Sequence, residues 1–234
     1  MRLNAGAKHL SADEAGGARS RLMEPVQIGD AAPNFRARTT MGDKSLSDYR
    51  GRWLLLFSHP GDFTPVCTSE FIALSRARDR FEALDCDLLA ISVDSLYAHI
   101  AWVRAIHDHF GVTVGFPIVE DPSMVIGRAY GMLPDDAPDA TTLRATFFID
   151  PHGIVRAKIC YPATVGRSVD ELLRVLAALQ RVDGGEVVTP EGWRPGDDVL
   201  LAPHRDQAAA LRAAGGDACW FHCPRPDARG EAGQ

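Results

Sequence analysis

Short apolar runs alternate with amphipathic stretches through the middle of this 234-residue chain. The apolar runs Trp53–Phe57 and Leu88–Val93 have the length of buried strands. Between them, apolar residues recur at helical spacing from Pro65 to about Ala83, and proline suits the first position of a helix. A second helix is predicted from about Leu96 to His109. The alternation indicates an α/β protein.

The later part of the chain continues this pattern with short strands. They are predicted at Phe116–Val119, Ala145–Ile149 and Val155–Tyr161. The last two are joined by Asp150-Pro151-His152-Gly153, whose residue types favour a tight turn. A helix is predicted from about Ser168 to Arg181. This order of elements predicts a mixed sheet flanked by helices.

The two ends of the chain depart from the alternating pattern. Residues 1–24 are rich in Gly, Ala, Ser and Asp without hydrophobic periodicity, so we expect a disordered leader there. We assign the α/β domain to residues 25–184. Residues 185–234 form a C-terminal extension in this interpretation.

Composition excludes several classes of function. With 46% apolar and 24% charged residues, the chain has the make-up of a soluble globular protein. A net charge of −6 without a basic block argues against nucleic-acid binding. No apolar run approaches the roughly 18 residues that span a membrane. Five irregularly spaced cysteines and the lack of a secretory signal near Met1 favour a reducing cytoplasm.

The segment after Trp53–Phe57 brings a cysteine into the first turn of a predicted helix. With Pro65 at the first helical position, Thr64 is the N-cap and Cys67 the third helical residue. Unpaired backbone N–H groups and the helix dipole then favour the thiolate form of the sulfur. Taken alone, Cys67 is either such a reactive thiolate or a small buried apolar residue.

The run from Ser58 to Glu70 closely resembles the peroxiredoxin active-site motif, in which Pro60, Thr64 and Cys67 stand at fixed offsets. His59 before Pro60 and Val66-Cys67-Thr68 after it resemble the 1-Cys, or peroxiredoxin-6-type, subgroup. Further matching segments are Gly29–Phe35, Ser92–Ser95, Leu143–Asp150 and Tyr161–Arg167. The resemblance extends from Val26 to Cys223. It implies a thioredoxin-like fold and a thiol-dependent peroxidase that uses neither a metal nor another cofactor.

The resemblance also assigns roles to residues. It makes Cys67 the nucleophile, while Thr64 orients the peroxide and Arg144 binds it, since a guanidinium presents several fixed donors. Pro60 would shield the thiolate from water. Without the motif, Arg144 would be interpreted as a surface salt-bridge residue at the start of a strand.

Two further residues are candidates for a supporting role. His59 is expected either to hydrogen-bond the site or to pack at the end of the strand. Arg167 resembles a second arginine of the peroxiredoxin site, but a helix cap or a contact with a partner chain is the alternative.

The C-terminal cysteines raise the question of how an oxidised Cys67 is reduced. Attack on a peroxide would make Cys67 a sulfenic acid. The segment Trp193–Asp198 resembles the longer archaeal and bacterial members of the subgroup, which often carry two tail cysteines. The resemblance implies that Cys223, or else Cys219, forms a disulfide with Cys67, which a thioredoxin-type or other thiol donor reduces. The alternatives are incidental thiols, or zinc ligands together with His222.

Other reactive residue types are interpreted as structural. His99, His107 and His109 lack a metal-binding spacing and are expected on a solvated or interface helix face. Cys86 and Cys160 adjoin predicted strands and are expected to be core or near-surface residues.

Two hypotheses for function follow. The first is a cytoplasmic peroxidase that reduces hydrogen peroxide and organic hydroperoxides to water and alcohols; the second is a redox-sensing or holdase chaperone assembly. The resemblance implies a homodimer or a larger ring, with the C-terminal extension acting as a dimerisation arm. Its aromatic residues Trp193, Trp220 and Phe221 are expected to pack on a partner subunit or on their own domain.

Overall fold

A seven-stranded mixed sheet forms the centre of the protein. The computed structural model describes residues 25–133, 141–202, 206–209 and 221–227. The strands are β1 (Arg36–Thr39), β2 (Gly42–Ser45), β3 (Trp53–Ser58), β4 (Cys86–Ser92), β5 (Ile118–Glu120), β6 (Arg144–Ile149) and β7 (Val155–Tyr161). Their order is β2-β1-β5-β4-β3-β6-β7. Strands β3, β4 and β5 are parallel, and β6 runs antiparallel to β3.

Helices cover both faces of this sheet. They are α1 (Pro65–Arg76), α2 (Arg78–Glu82), α3 (Leu96–Phe110), α4 (Val125–Ala129) and α5 (Val169–Val182), with a 3₁₀ turn at Leu46–Tyr49. Within the described residues, no helix is both long enough and apolar enough to cross a lipid bilayer. The expected mixed sheet flanked by helices is confirmed.

Strand β3 separates two hydrophobic cores. Leu55 and Phe57 pack into a core that includes residues of α1, α2, α3 and α5. Leu54 and Leu56 point to the other face and pack with residues of α4 and of β6. All six residues of β3 are buried, which accounts for the continuous apolar run in the sequence.

The single helix predicted from Pro65 to Ala83 is wrong, because α1 and α2 are separate. Ala77 between them has φ −93° and ψ 4°, outside the helical region, and it ends one helix and begins the other. Neither glycine nor proline marks this position, so the sequence gives no sign of the break. The remaining predicted helices and strands are present, with ends that differ by a few residues.

Within residues 25–184, two strands and one short helix were not predicted, and neither were the short strands of the C-terminal extension. Strands β1 and β2 are short and mostly polar, and they pair with each other at the edge of the sheet, where no apolar alternation is needed. Helix α4 has only five residues, which is too short for a helical period to be recognised.

The described part of the C-terminal extension packs on helix α5. It forms a second sheet from β8 (Val187–Val188), β9 (Val199–Leu201) and β10 (Pro224–Arg225). Trp193 is buried in a small core with Ala177 of α5, so this aromatic residue packs on its own domain. Phe221 is 71% exposed, and Trp220 lies outside the described residues, as does the predicted leader.

Candidate active site

Cys67 lies in the first turn of α1, where the chain arrives from the end of β3. Pro65 opens the helix and Thr64 is its N-cap, with extended backbone angles. Cys67 is fully buried within the core between the sheet and the helices. The predicted position of the cysteine is therefore confirmed, and its burial alone fits both readings of its role.

The hydroxyl of Thr64 does not cap the helix. It donates a hydrogen bond of 2.8 Å to the carbonyl oxygen of Gly61. Thr64 is only half-buried, and the lone pairs of its hydroxyl oxygen accept no helical N–H. Pro60 is half-buried at the start of the same loop.

Arg144, the first residue of β6, points at the cysteine. Its Nη1 donates hydrogen bonds to Sγ of Cys67 at 3.3 Å and to Oε2 of Glu70 at 2.7 Å. Its Nε and Nη2 both donate to the carbonyl oxygen of Ala163. Arg144 is 2% exposed. The alternative of a surface salt bridge is therefore wrong.

Arg167 belongs to the same network through Glu70. Its backbone N–H and its Nε donate to Oε1 of Glu70 at 2.7 and 2.9 Å, and its Nη2 donates to Oε2 at 2.8 Å. A further bond of 3.1 Å runs from Nη1 to the hydroxyl of Thr146 on β6. All these partners lie within the same chain. They account for the position of Arg167 without a helix cap or a contact with a second subunit.

Glu70 is the functional candidate that sequence reasoning missed. It follows Cys67 by three residues, so both side chains lie on one face of α1. Burial by itself would raise the pKa of Glu70, but the hydrogen bonds and charge of Arg167, with the charge of Arg144, outweigh it and hold the pKa below its usual range. The signal in the sequence was an acidic residue on the apolar face of a helix, near a cysteine.

His59 both donates a hydrogen bond and packs against aromatic side chains. Its ring lies 4.9 Å from that of Phe71 and 5.3 Å from that of Trp102, measured between centroids. Its Nε2 donates to Oδ1 of Asp62 at 2.9 Å. Burial lowers the pKa of His59 below its usual value, and the neighbouring Asp62 opposes that shift only in part.

His99 is buried, so the expected solvated or interface face is wrong for this histidine. Its Nδ1 donates to Oδ2 of Asp62 at 2.8 Å. The helix α3 buries His99, Trp102 and Ile106 along one face, whereas His107 and His109 are exposed. Burial would raise the pKa of Asp62, yet its hydrogen bonds to the two imidazoles hold it below the usual range.

The group His59, Asp62 and His99 also has the side chains that bind metals. Three potential ligand atoms lie within 4.8 Å of one another. The two imidazoles approach the carboxylate to 2.9 and 2.8 Å. Ligand atoms about 2.0 Å from a tetrahedral zinc ion lie roughly 3.3 Å apart. These separations are therefore those of hydrogen bonds, with a proton between each imidazole and Asp62.

Cys223 and the network around Cys67 lie at opposite ends of helix α5. Cys223 directly precedes β10, and its carbonyl oxygen accepts a bond from Leu201. Asp227 pairs with Arg181 in the last turn of α5, whereas Arg167, which precedes α5, contacts Glu70. The two ends of α5 are about 20 Å apart, since the helix rises 1.5 Å per residue.

The other cysteines have different surroundings. Cys219 lies outside the described residues; His222 is exposed. Cys86 is buried at the start of β4, and burial together with Asp87 raises its thiol pKa far above the usual value. Cys160 is exposed on the edge strand β7. Both lie in strands, as expected from their sequence positions.

Comparison with known proteins gives consistent matches. The profile of the AhpC/TSA family matches residues 28–158, and that of the C-terminal domain of 1-Cys peroxiredoxin matches residues 178–214. "Peroxiredoxin 2" of Picrophilus torridus is 45% identical over 198 residues, which cover 84% of this chain and 98% of that protein. A "Peroxiredoxin" of Methanosarcina mazei is 38% identical over 213 residues, 86% of this chain and 97% of the relative.

Solved structures match over most of the chain. A structure of the yeast mitochondrial 1-Cys peroxiredoxin, which addresses the structural basis of its thiol resolving mechanism via glutathione/thioredoxin systems, has a TM-score of 0.75 at 36% identity. The match covers 86% of this chain and 98% of that one. A cysteine-to-serine mutant of the peroxiredoxin 6 of Arenicola marina has a TM-score of 0.72 at 34% identity, with 80% and 88% covered.

Proposed function

The chain belongs to the peroxiredoxin family and is a peroxidase, and on this premise we propose that Cys67 is the thiolate that attacks the peroxide. The observation that carries the proposal is the 3.3 Å contact between Nη1 of Arg144 and Sγ of Cys67 in the first turn of α1. In this proposal Arg144 supplies donors to the sulfur and to peroxide oxygens, and the hydroxyl oxygen of Thr64, whose proton goes to Gly61, accepts a hydrogen bond from the peroxide.

The charges around the sulfur support a thiolate. Arg144 and Arg167 carry two positive charges and Glu70 carries one negative charge, and all three side chains are buried. An isolated buried charge is costly unless it is paired. One negative charge on Cys67 would make the cluster neutral, and the proposed attack uses that charge state of the sulfur.

The proposed reaction is a two-electron transfer. The sulfur of Cys67 attacks one oxygen of ROOH, and an S–O bond forms as the O–O bond breaks. The departing RO⁻ takes up a proton to become an alcohol, or water when the substrate is hydrogen peroxide. Cys67 is left as a sulfenic acid, oxidised by the two electrons that reduced the peroxide. The guanidinium of Arg144 stabilises the charge that develops on the departing oxygen.

The structural role of Glu70 in this scheme is to hold the arginines. A free guanidinium has many rotamers, and ordering it costs entropy. Glu70 accepts bonds from both Arg144 and Arg167 and thereby fixes the donor nitrogen that faces Cys67. Preorganised donors of this kind cost no rearrangement when the peroxide reacts.

We further propose that a tail cysteine of a partner chain resolves the sulfenic acid. The thiol of Cys223, or else of Cys219, would displace water from the sulfenic acid to give a disulfide. A thioredoxin-type or other thiol donor would then reduce the disulfide to two thiols. The position of Cys223 at the far end of α5 from Cys67 supports a link between chains, in a homodimer or a larger ring.

Consumption of hydrogen peroxide by the reduced protein with dithiothreitol tests the central step. Wild type, Cys67→Ser, Cys219→Ser and Cys223→Ser are compared, with Cys160→Ser as a control at an exposed cysteine. We expect turnover to vanish in Cys67→Ser and to persist in Cys160→Ser. Full activity of Cys67→Ser would overturn the proposal.

A further inference from the structure

The loop that leads to Cys67 contains a strained residue. Phe63 has a φ of 57°, in the left-handed region that residues other than glycine rarely adopt. Its side chain is 60% exposed, so burial of the ring does not hold this conformation. Such strain persists only where the surrounding contacts fix the backbone.

Asp62, the residue before Phe63, is the point at which the loop is fixed. Its N–H donates to Oδ2 of Asp94 at 3.0 Å. Its two carboxylate oxygens accept hydrogen bonds from His59 within the loop and from His99 on α3. The side chain of Asp62 is only 2% exposed, so water cannot replace these bonds.

Helix α3 also contacts the start of α1 directly. Nε1 of Trp102 donates to the hydroxyl of Thr68, which directly follows Cys67, at 3.3 Å. His99 and Trp102 are three residues apart and lie on the same buried face of α3. The one face therefore holds both the loop before the helix and the first turn of the helix itself.

Each of the two histidines uses only one of its ring nitrogens to bind Asp62. Asp62 accepts from Nε2 of His59 and from Nδ1 of His99. The opposite nitrogens, Nδ1 of His59 and Nε2 of His99, are buried without a hydrogen-bond partner. Buried polar atoms are normally paired. His99 is thus held in place by one N–H donor, at Nδ1.

We propose that His99 is a positioning residue for the peroxide site. Through Asp62 it holds the loop from His59 to Thr64 with Phe63 in the left-handed conformation, and so it places the Thr64 hydroxyl and the first turn around Cys67. This proposal rests on the proposed function of Cys67. His99 itself does not contact the sulfur in this role.

Two isosteric amides separate the role of the donor from the role of volume. The side-chain N–H₂ of asparagine can take the place of Nδ1, whereas that of glutamine takes the place of Nε2 and points away from Asp62. We therefore compare His99→Asn, His99→Gln and His99→Phe. His107→Phe is the matched control, because His107 is exposed on the same helix.

The measurements are the kcat and KM for hydrogen peroxide and the ultraviolet titration of the Cys67 thiolate, taken as the difference between each variant and the same variant with Cys67→Ser. Thermal unfolding checks that each variant is folded. We expect His99→Asn to stay within about threefold of wild type, and His99→Gln and His99→Phe to lose roughly 10- to 100-fold in kcat/KM. The thiolate titration should move in these two and stay unchanged in His99→Asn and His107→Phe.

The outcomes separate the two proposals. Equal activity and equal titration of His99→Asn and His99→Gln would overturn the positioning role, even if His99→Phe does not fold. Loss of stability in His99→Gln with unchanged kcat, KM and titration would also overturn it, since His99 would then only support the fold. Retained peroxide turnover in Cys67→Ser would instead overturn the proposed function, whatever the His99 variants do.

Discussion

Nη1 of Arg144 lies 3.3 Å from Sγ of Cys67, although 77 positions separate the two residues in the chain. Strands β3 and β6 are antiparallel neighbours, with Phe57 opposite Thr146. The start of β6 therefore lies beside the end of β3, where the loop to α1 begins. The sheet register itself brings the guanidinium to the thiol.

Replacement of Arg144 by lysine tests the geometry of this contact. Lysine keeps the positive charge, but its ammonium cannot donate to Cys67, Glu70 and Ala163 in one plane. We expect the rate of peroxide reduction to fall on the order of 10²-fold. Stopped-flow oxidation of the reduced protein measures it. Arg156→Lys, at a partly exposed ion pair on β7, is the control; an equal loss in both variants would contradict the specific role of Arg144.

Thr64→Val and Thr64→Ser distinguish the hydroxyl from the shape of the threonine side chain. Valine keeps the branched shape and loses the hydroxyl, whereas serine keeps the hydroxyl. If the hydroxyl orients the peroxide, Thr64→Val should lower kcat/KM on the order of 10²-fold and Thr64→Ser should not. Similar losses in the two variants would show that packing, rather than the hydroxyl, is what the site requires.

Glu70→Gln should destabilise the fold in a pH-dependent way. The change leaves two buried arginines without their carboxylate, and breaking a buried ion pair costs about 3–5 kcal/mol. The lowered pKa of Glu70 means that the folded state binds fewer protons than the unfolded state. Its stabilising effect is therefore complete above the unfolded-state value, about 4.3, and is lost as the pH falls toward the folded-state value.

Urea unfolding of wild type and Glu70→Gln at neutral pH and in the acidic range measures this effect. We expect the difference in the free energy of unfolding to be largest near pH 7 and to shrink below about pH 4. Asp62, whose pKa is also lowered, contributes to acid sensitivity equally in both proteins. A difference that does not change with pH would show that Glu70 does not stabilise the fold through its charge.

Mixed chains test whether the disulfide forms between subunits. Cys67→Ser retains the tail cysteines, and a variant with both Cys219→Ser and Cys223→Ser retains Cys67. Oxidation of either protein alone should give no Cys67–tail disulfide, whereas a mixture should give a covalent dimer on a non-reducing gel. If wild type forms only a disulfide within one chain, the proposed crossing of the tail is wrong.

The sequence was sufficient for the central feature of the site. The apolar run of β3 followed by Pro65 placed Cys67 in the first turn of α1, because proline and a buried strand constrain the backbone locally. The network around the cysteine was not predictable in the same way. Glu70 resembles any charged helical residue until the fold buries it between two arginines from distant segments.

His99 shows a different limit. The spacing of His99, Trp102 and Ile106 is that of one face of a helix, so the buried face of α3 was visible in the sequence. Histidines near the end of the same helix suggested an exposed face, and the buried carboxylate that binds His99 comes from a loop 37 residues earlier. The separation of α1 from α2 at Ala77 had no local signal, since alanine favours helix.

Because Cys86 is buried, labelling of its thiol can be used to measure how often the protein opens around it. Its thiol is both hidden from solvent and held in the protonated form, so reagents that modify thiolates should not reach it while β4 remains in the sheet. β4 lies between β3 and β5, at the middle of the sheet. The rate at which Cys86 becomes labelled, resolved by peptide mass spectrometry, therefore reports how often the start of β4 opens, separately from the chemistry at Cys67.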